Sequence, residues 1–257
     1  MASARFERDR DVGVVVIDQP PLNLFGDEMF RDLDAAVREA ERSDIRGLLI
    51  RAEGKYFTGG VDVHFFDDKT PEQMTEAFDG WVGLVHRLED MPIPTMSSVQ
   101  GLCLTAGLEL SLGCDLIFAA ESARFGLVET VIGLTPAMGG TQRMAERAGP
   151  ARAREFVMSG DIYAAATLEG WNVVNRVVPG HRLAEESMEF MQRLAAGPTK
   201  AHAATKAMVR AFLHHGVRGA DERIGSIAAP LFDTADLKNA VKTFLAEGPG
   251  KATFEGR

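Results

Sequence analysis

From Val12 to Ala120 the chain alternates short, largely apolar runs with longer amphipathic stretches, and this alternation most constrains its fold. Val12–Ile17 reads as a strand, Met29–Glu41 as an amphipathic helix, Gly47–Ala52 as a second strand and Pro71–Glu89 as a helix. Pro94–Leu104 reads as a further strand and Leu116–Ala120 as a short one. Strands and helices joined by short connections give an α/β layout. After about Leu183 the signals are helical almost throughout, with breaks at Gly197-Pro198, at Gly216 and near Pro230. We place a core at about 1–196 and a helical region at about 197–257.

Two segments share a scheme with chemical content. Ile45–Val63 and Pro94–Leu110 each run from a buried-strand signal into small residues, as expected where backbone closely approaches a ligand. Both are expected to end in exposed backbone N–H groups. The second segment leads into a helix start near Thr105, and its apolar run contains one acid, Glu109. The first turn of a helix favours a carboxylate, but a capping box would need the acid at the position of Leu108. Glu129, in Phe125–Glu129, is the second acid of interest, set against the plainer reading of a surface residue ending a short strand. A carboxylate among leucines either has a partner or has a pKa raised toward the range of a proton-transfer group. The pair reads as a catalytic acid and base.

Composition narrows the alternatives. With 257 residues the chain can bury a sizeable core, and 28 Lys plus Arg against 37 Asp plus Glu leave a net charge of -9, which repels polyanions and argues against nucleic-acid binding. The N-terminal segment has no apolar signal region, and no run approaches the length of a membrane span. Cys103 and Cys114 are too few and wrongly spaced for a zinc site; both read as reduced core thiols, which suggests a cytoplasmic setting. No Walker loop, dinucleotide fingerprint or zinc-protease motif is present. The chemistry is therefore expected from side chains and backbone, with no metal.

From about Pro20 to Arg257 the sequence resembles the crotonase family, the enoyl-CoA hydratases and isomerases. The resemblance is carried, in order, by Pro21-Leu22-Asn23, Phe57–Asp62, Gly101–Asp115, Phe125–Glu129 and Gly133–Arg143, with weaker support from Gly160–Ala166 and Phe254–Arg257. It implies a spiral of ββα units followed by a C-terminal helical region that packs into a trimer, often paired into a hexamer. It also implies that a thioester oxygen sits between the N–H groups of Val61 and Ala106, a backbone oxyanion hole that stabilises an enolate-like transition state. Glu109 is then expected to hold and deprotonate water for attack at C3, and Glu129 to deliver a proton to C2. Leu22, Gly60, Asp62, Val63, His64, Gly133 and Ala137 are implied to line the substrate, His64 near the CoA phosphates and the Ala137 N–H near the reacting water. Phe65, Phe66, Met74, Phe78 and Trp81 are candidates for an acyl pocket, about half of them core.

The chain departs from the family where Ala106 and Ala137 stand in place of common glycines and Val61 in place of a common alanine, a more crowded site. Isomerases of the family usually lack an acid at the position of Glu109, so the pair favours hydration of a 2-enoyl-CoA. No cofactor is implied beyond the CoA of the substrate. The alternatives are an isomerase, another thioester reaction such as hydrolysis or decarboxylation, and a non-catalytic acyl-CoA-binding protein. Because Ala106 would begin a helix, proline there is expected to be tolerated.

Overall fold

The computed structural model describes residues 2–257. Strands β2 (Val12–Ile17) and β4 (Thr95–Val99) are buried along their whole length, and β3 (Gly47–Ala52) nearly so. Such strands need cover on both faces, which suits the centre of a parallel sheet. They pair in parallel, Val12 opposite Gly47 and Leu48 opposite Thr95. Strands β6 (Leu116–Ala120) and β9 (Arg176–Val178) extend the parallel set on one side, and β1 (Ala4–Asp9) closes the other side antiparallel to β2. The sheet order is β1-β2-β3-β4-β6-β9.

Helix α1 (Asp27–Arg42) covers the sheet with Met29, Phe30, Leu33, Ala36, Val37 and Ala40, spaced as one helical face requires. Helix α2 (Pro71–Asp90) starts at a capping box between Thr70 and Gln73, with Pro71 in its first turn. Helix α7 (Leu183–Ala195), which follows α5 (Pro150–Ser159) and α6 (Ala165–Gly170) in the chain, packs on β3 and β4, its Met191 so close to Gly47 that a Cβ there would stand 2.9 Å from the methionine methyl.

The stretch read as one strand over Pro94–Leu104 is two, and the division positions the site. The chain leaves β4 at Val99, turns through Gln100-Gly101 and enters β5 (Leu102–Leu104), which belongs to a small second sheet with β7 (Arg124–Gly126) and β8 (Tyr163–Ala164). Gly101 has φ +61°, and a Cβ there would lie 2.2 Å from the Lys55 carbonyl oxygen, so the corner requires glycine. Similar corners follow β3, where Thr58 bridges to Cys103, and β6, where β7 pairs with β5. Each turn of the chain thus lays one segment in the large sheet and one in the small, then returns through a helix: a spiral of ββα units. Strand β1 escapes the sequence reading because Arg5 and Glu7 alternate with Phe6 on an exposed edge, where the hydrophobic signal is weak.

Beyond α7 the chain breaks at Gly197-Pro198 and enters α8 (Thr199–Asp221), interrupted at Gly216 (φ 68°). Helix α9 (Ile224–Ala228), a 3-10 turn containing Pro230, and α10 (Ala235–Glu247) follow. The Arg46 guanidinium donates to the carbonyls of Gly197 (2.6 Å) and Phe254 (3.0 Å) and to the Thr199 hydroxyl, tying the α7–α8 junction and the C-terminal tail to the edge of β3. The Asp236 carboxylate accepts the N–H groups of Glu255 and Gly256. Phe212, Leu213, Val241, Phe244 and Leu245 nevertheless remain exposed on these helices.

The Gly101 corner generates the first prediction. In Gly101→Ala the new methyl meets backbone, which no rotamer change relieves, so stability should fall by about 2 kcal/mol or more. A urea denaturation midpoint equal to that of the unmodified protein would show that the corner does not depend on glycine.

Candidate active site

The site begins where β3 ends. Thr58 accepts the Gly60 N–H through its hydroxyl oxygen at 2.9 Å and donates the hydroxyl proton to the Asn23 carbonyl at 2.7 Å. Asn23 is fully buried, and its amide donates to the carbonyls of Glu53, Tyr56 and Phe57, so the Pro21-Leu22-Asn23 stretch braces the loop from beneath. Gly60, at φ +106°, turns the chain, and a short parallel bridge between Phe25 and Val61 fixes the next peptide. The Val61 N–H emerges from this frame in a defined direction. It meets the Thr105 hydroxyl oxygen at 3.0 Å.

Thr105 joins β5 to helix α3 (Ala106–Leu112). A Cβ on Gly107 would stand 2.0 Å from the Thr58 side-chain methyl, so glycine lets the first turn of α3 lie directly against the Val61 loop. The N–H of Ala106 belongs to the first helical turn and has no intrahelical partner. Two backbone donors from separate turns of the spiral are thereby brought to one place, with Thr105 between them. Its φ of 46° and ψ of −124° also overturn the expected tolerance of proline at position 106, because a residue preceding proline is held in the extended region.

Glu109 lies one helical turn into α3 and is 3% exposed. Its Oε1 accepts the N–H groups of Met138 (2.9 Å) and Gly140 (2.8 Å), the latter at the start of α4 (Gly140–Ala148). The first-turn acid therefore serves the N-terminus of a neighbouring helix rather than its own. Burial drives its pKa up to about 7, against the lowering influence of the two N–H donors and of Arg143, which is held in a two-pronged pair with Glu89.

Glu129 opens a 3-10 turn, Glu129–Ile132, directly after β7. It is 8% exposed, which removes the surface-residue reading, and its Oε2 has no hydrogen-bond partner among the described residues. Burial first, and the negative charge of Glu109 second, raise its pKa to about 8. The two acids thus sense one another across the site. One is held by amides; the other keeps one oxygen without a partner among the described residues.

The remaining expected positions surround this centre. Leu22 and Val63 are exposed, Gly60 is buried and Ala137 half-buried. Asp62 accepts the His64 N–H and meets its Nδ1 at 2.8 Å, a pair on the outer surface. Gly133, in the left-handed conformation, ends the Glu129 turn. Trp81 stacks on Phe30 at 4.0 Å with Phe65 and Phe78 at its edges, which makes this aromatic group part of the α1–α2 packing. Cys103 and Cys114 are buried free thiols, both titrating above the ordinary range because of that burial.

The sequence reading missed Thr105, Met138, Gly140 and Arg143. Gly139-Gly140 was the available signal for two of them: a Cβ on Gly140 would lie 2.7 Å from the Glu109 side chain. Nothing in the pattern near Thr105 announces a hydroxyl aimed at a backbone donor forty-four positions away.

Such an arrangement can hold a polarised oxygen at backbone amides and exchange protons with its neighbouring carbons through two carboxyls. The enoyl-CoA hydratase/isomerase family matches residues 7–257. A protein of Rhizobium meliloti (strain 1021) named a probable enoyl-CoA hydratase is 29% identical over 251 residues, covering 96% of this chain and 95% of that protein. The 1,2-epoxyphenylacetyl-CoA isomerase of Escherichia coli (strain K12) is 32% identical over 200 residues, 74% of this chain and 75% of the relative. Among solved structures, enoyl-CoA hydratase subunit I of Geobacillus kaustophilus HTA426 superposes with a TM-score of 0.93 at 30% identity, over 99% of this chain and 98% of that one. The chain belongs to the enoyl-CoA hydratase/isomerase family, with the crotonase fold.

Proposed function

We propose that this protein is a 2-enoyl-CoA hydratase. The observation that carries the proposal is the buried Glu109–Glu129 pair, two acids with raised pKa values whose charges sense one another, Glu109 standing on the helix that begins at Ala106. Burial holds both acids near neutrality, so the pair shares protons at ordinary pH, and Glu109, which accepts two N–H groups, is the member supported in its ionised form. In this reading Glu109 takes a proton from water as its oxygen attacks C3. Charge moves through the C2–C3 bond to the thioester oxygen, which the two amides and the α3 dipole stabilise. Glu129 then gives its proton to C2. Water has been added across the double bond, and proton transfer between the acids resets the site.

The proton inventory is met by two carboxyls, so the reading calls for no metal or redox cofactor, and CoA enters only as part of the substrate. Leu22, Gly60, Asp62, Val63, His64, Gly133 and Ala137 are assigned to the substrate's surroundings. The two free cysteines fit a reducing cytoplasmic setting. The likeness to a 1,2-epoxyphenylacetyl-CoA isomerase supports a second reading, isomerisation of an acyl-CoA at the same site. A panel of 2-enoyl-CoA and 3-enoyl-CoA thioesters with products identified by mass separates the two: hydration adds the mass of water and isomerisation adds none.

The assignment of the acids predicts that Glu109→Gln and Glu129→Gln each fold and each lower crotonyl-CoA hydration by about 10²- to 10⁴-fold. Near-normal turnover in either variant would remove that acid from the mechanism.

The raised pKa values also bear on stability. Both acids bind protons more tightly folded than unfolded, so from about pH 4.5 to 8 the native state carries more protons than the unfolded one, and stability declines as pH rises through that window. The difference in urea midpoint between pH 5 and pH 8.5 should be smaller in the Glu109→Gln/Glu129→Gln double variant. An unchanged difference would mean that the two acids titrate normally in the folded protein.

Exposed Phe212, Val241, Phe244 and Leu245 on α8 and α10 support assembly into a homotrimer or a pair of trimers. Light scattering at micromolar concentration should give three or six chain masses; a single-chain mass would reject assembly.

A further inference from the structure

Thr105 is a β-branched residue at φ 46° and ψ −124°, a backbone conformation that side chains of this shape rarely adopt. Such a conformation is strained and persists where the surroundings impose it. Here they do so from both sides. The Thr105 N–H donates to the Gly126 carbonyl at 2.9 Å, and its own carbonyl accepts the Glu109 N–H at 3.0 Å. Its side chain is turned toward the Gly60-Val61 loop, where a Cβ on Gly60 would stand 2.7 Å from Oγ1 and 3.4 Å from the methyl. The Val61 N–H donates to Oγ1 at 3.0 Å. In the proposed reaction the Val61 N–H serves the thioester oxygen, and the Thr105 oxygen already accepts it.

We propose that the Thr105 hydroxyl is a built-in competitor for the oxyanion hole, which an acyl-CoA must displace, by rotation of the threonine side chain, before its carbonyl oxygen can accept the Val61 N–H. The inference rests on the thioester reading above and adds a specificity residue to it. A side chain satisfying the donor in the free protein keeps a half-buried N–H from being left without a partner. It also weakens the binding of any ligand whose carbonyl must take its place. A CoA derivative with no carbonyl next to sulfur has no need of the donor and leaves the hydroxyl where it is. The competitor therefore acts on the thioester group alone, and its effect is separable from contacts to the rest of CoA.

The test compares two ligands in the whole 257-residue chain: acetyl-CoA, which has the thioester carbonyl, and S-ethyl-CoA, a thioether without it. In Thr105→Gly the hydroxyl is gone and the backbone conformation suits the new residue. Calorimetric affinity for acetyl-CoA should rise by about 3- to 10-fold, the equivalent of one exchanged hydrogen bond, while affinity for S-ethyl-CoA stays constant. Thr105→Ala, which keeps a Cβ, should show the same selective gain, and it guards against a glycine effect on folding. Backbone hydrogen exchange at Val61 in the free protein should be faster in both variants. Unchanged or weaker acetyl-CoA binding, or equal gains for both ligands, overturns the proposal. If the unmodified protein binds neither ligand, the acyl-CoA reading itself fails; if it binds both and the variants match it, only the role of Thr105 fails.

Discussion

The Glu109 Oε1 atom accepts two backbone N–H groups, from Met138 and Gly140, and much of the site depends on that contact. It joins α3 to the start of α4, two helices that belong to different turns of the spiral. Without it, a carboxylate buried to 3% exposure would have no donor among its neighbours, and α4 would begin with unsatisfied amides in the interior. The two deficits offset one another. The same contact orients the acid, because both donors meet one oxygen and leave the other available. Arg143 reinforces the arrangement from a distance: its positive charge favours the ionised form of Glu109, while its own guanidinium is committed to Glu89.

The balance is incomplete by design of the burial. The pKa of Glu109 still rises from 4.5 to about 7, equivalent to a few kcal/mol between its protonation states. Glu129, with no partner for its Oε2, rises to about 8. A group held near neutrality can both take and give a proton at ordinary pH, whereas a fully paired carboxylate would be a poor acid and a weak base. Stability withheld from the two carboxyls is therefore what makes them suitable for proton transfer. The surrounding core, in which Leu108, Leu110 and Phe125 are completely buried, supplies the low-polarity environment that sustains it.

Much of this was legible in the sequence. Strand β3 and strand β6 fall on the expected boundaries, and the breaks at Gly197-Pro198, Gly216 and Pro230 interrupt the C-terminal helices, because fully buried strands and glycine or proline stops are local signals. The second sheet was not legible. Its strands hold two or three residues each, too few to show a period, and the corner at Gly101 is decided by a carbonyl from Lys55 rather than by neighbours in sequence. At the site, Glu109 and Glu129 stood out because acids in apolar runs are conspicuous. Thr105 did not, since a threonine before a helix is an ordinary N-cap, and only the fold reveals that its hydroxyl makes no cap bond.

That failure of local expectation at Thr105 has a physical origin. A threonine at a helix start normally adopts an extended backbone and turns its oxygen toward the amides of the first turn. At φ 46° it faces away from them, so the first-turn amides of α3 stay open toward the site while the hydroxyl serves Val61. An ordinary cap would have satisfied those amides and blunted the positive end of the α3 dipole at the place where the proposed reaction develops negative charge. The strain in Thr105 and the open N-terminus of α3 are two aspects of one backbone choice. It is imposed by the β5–β7 pairing that holds the Thr105 N–H against Gly126, and by the close approach of Gly107 to Thr58 that leaves the chain no wider path.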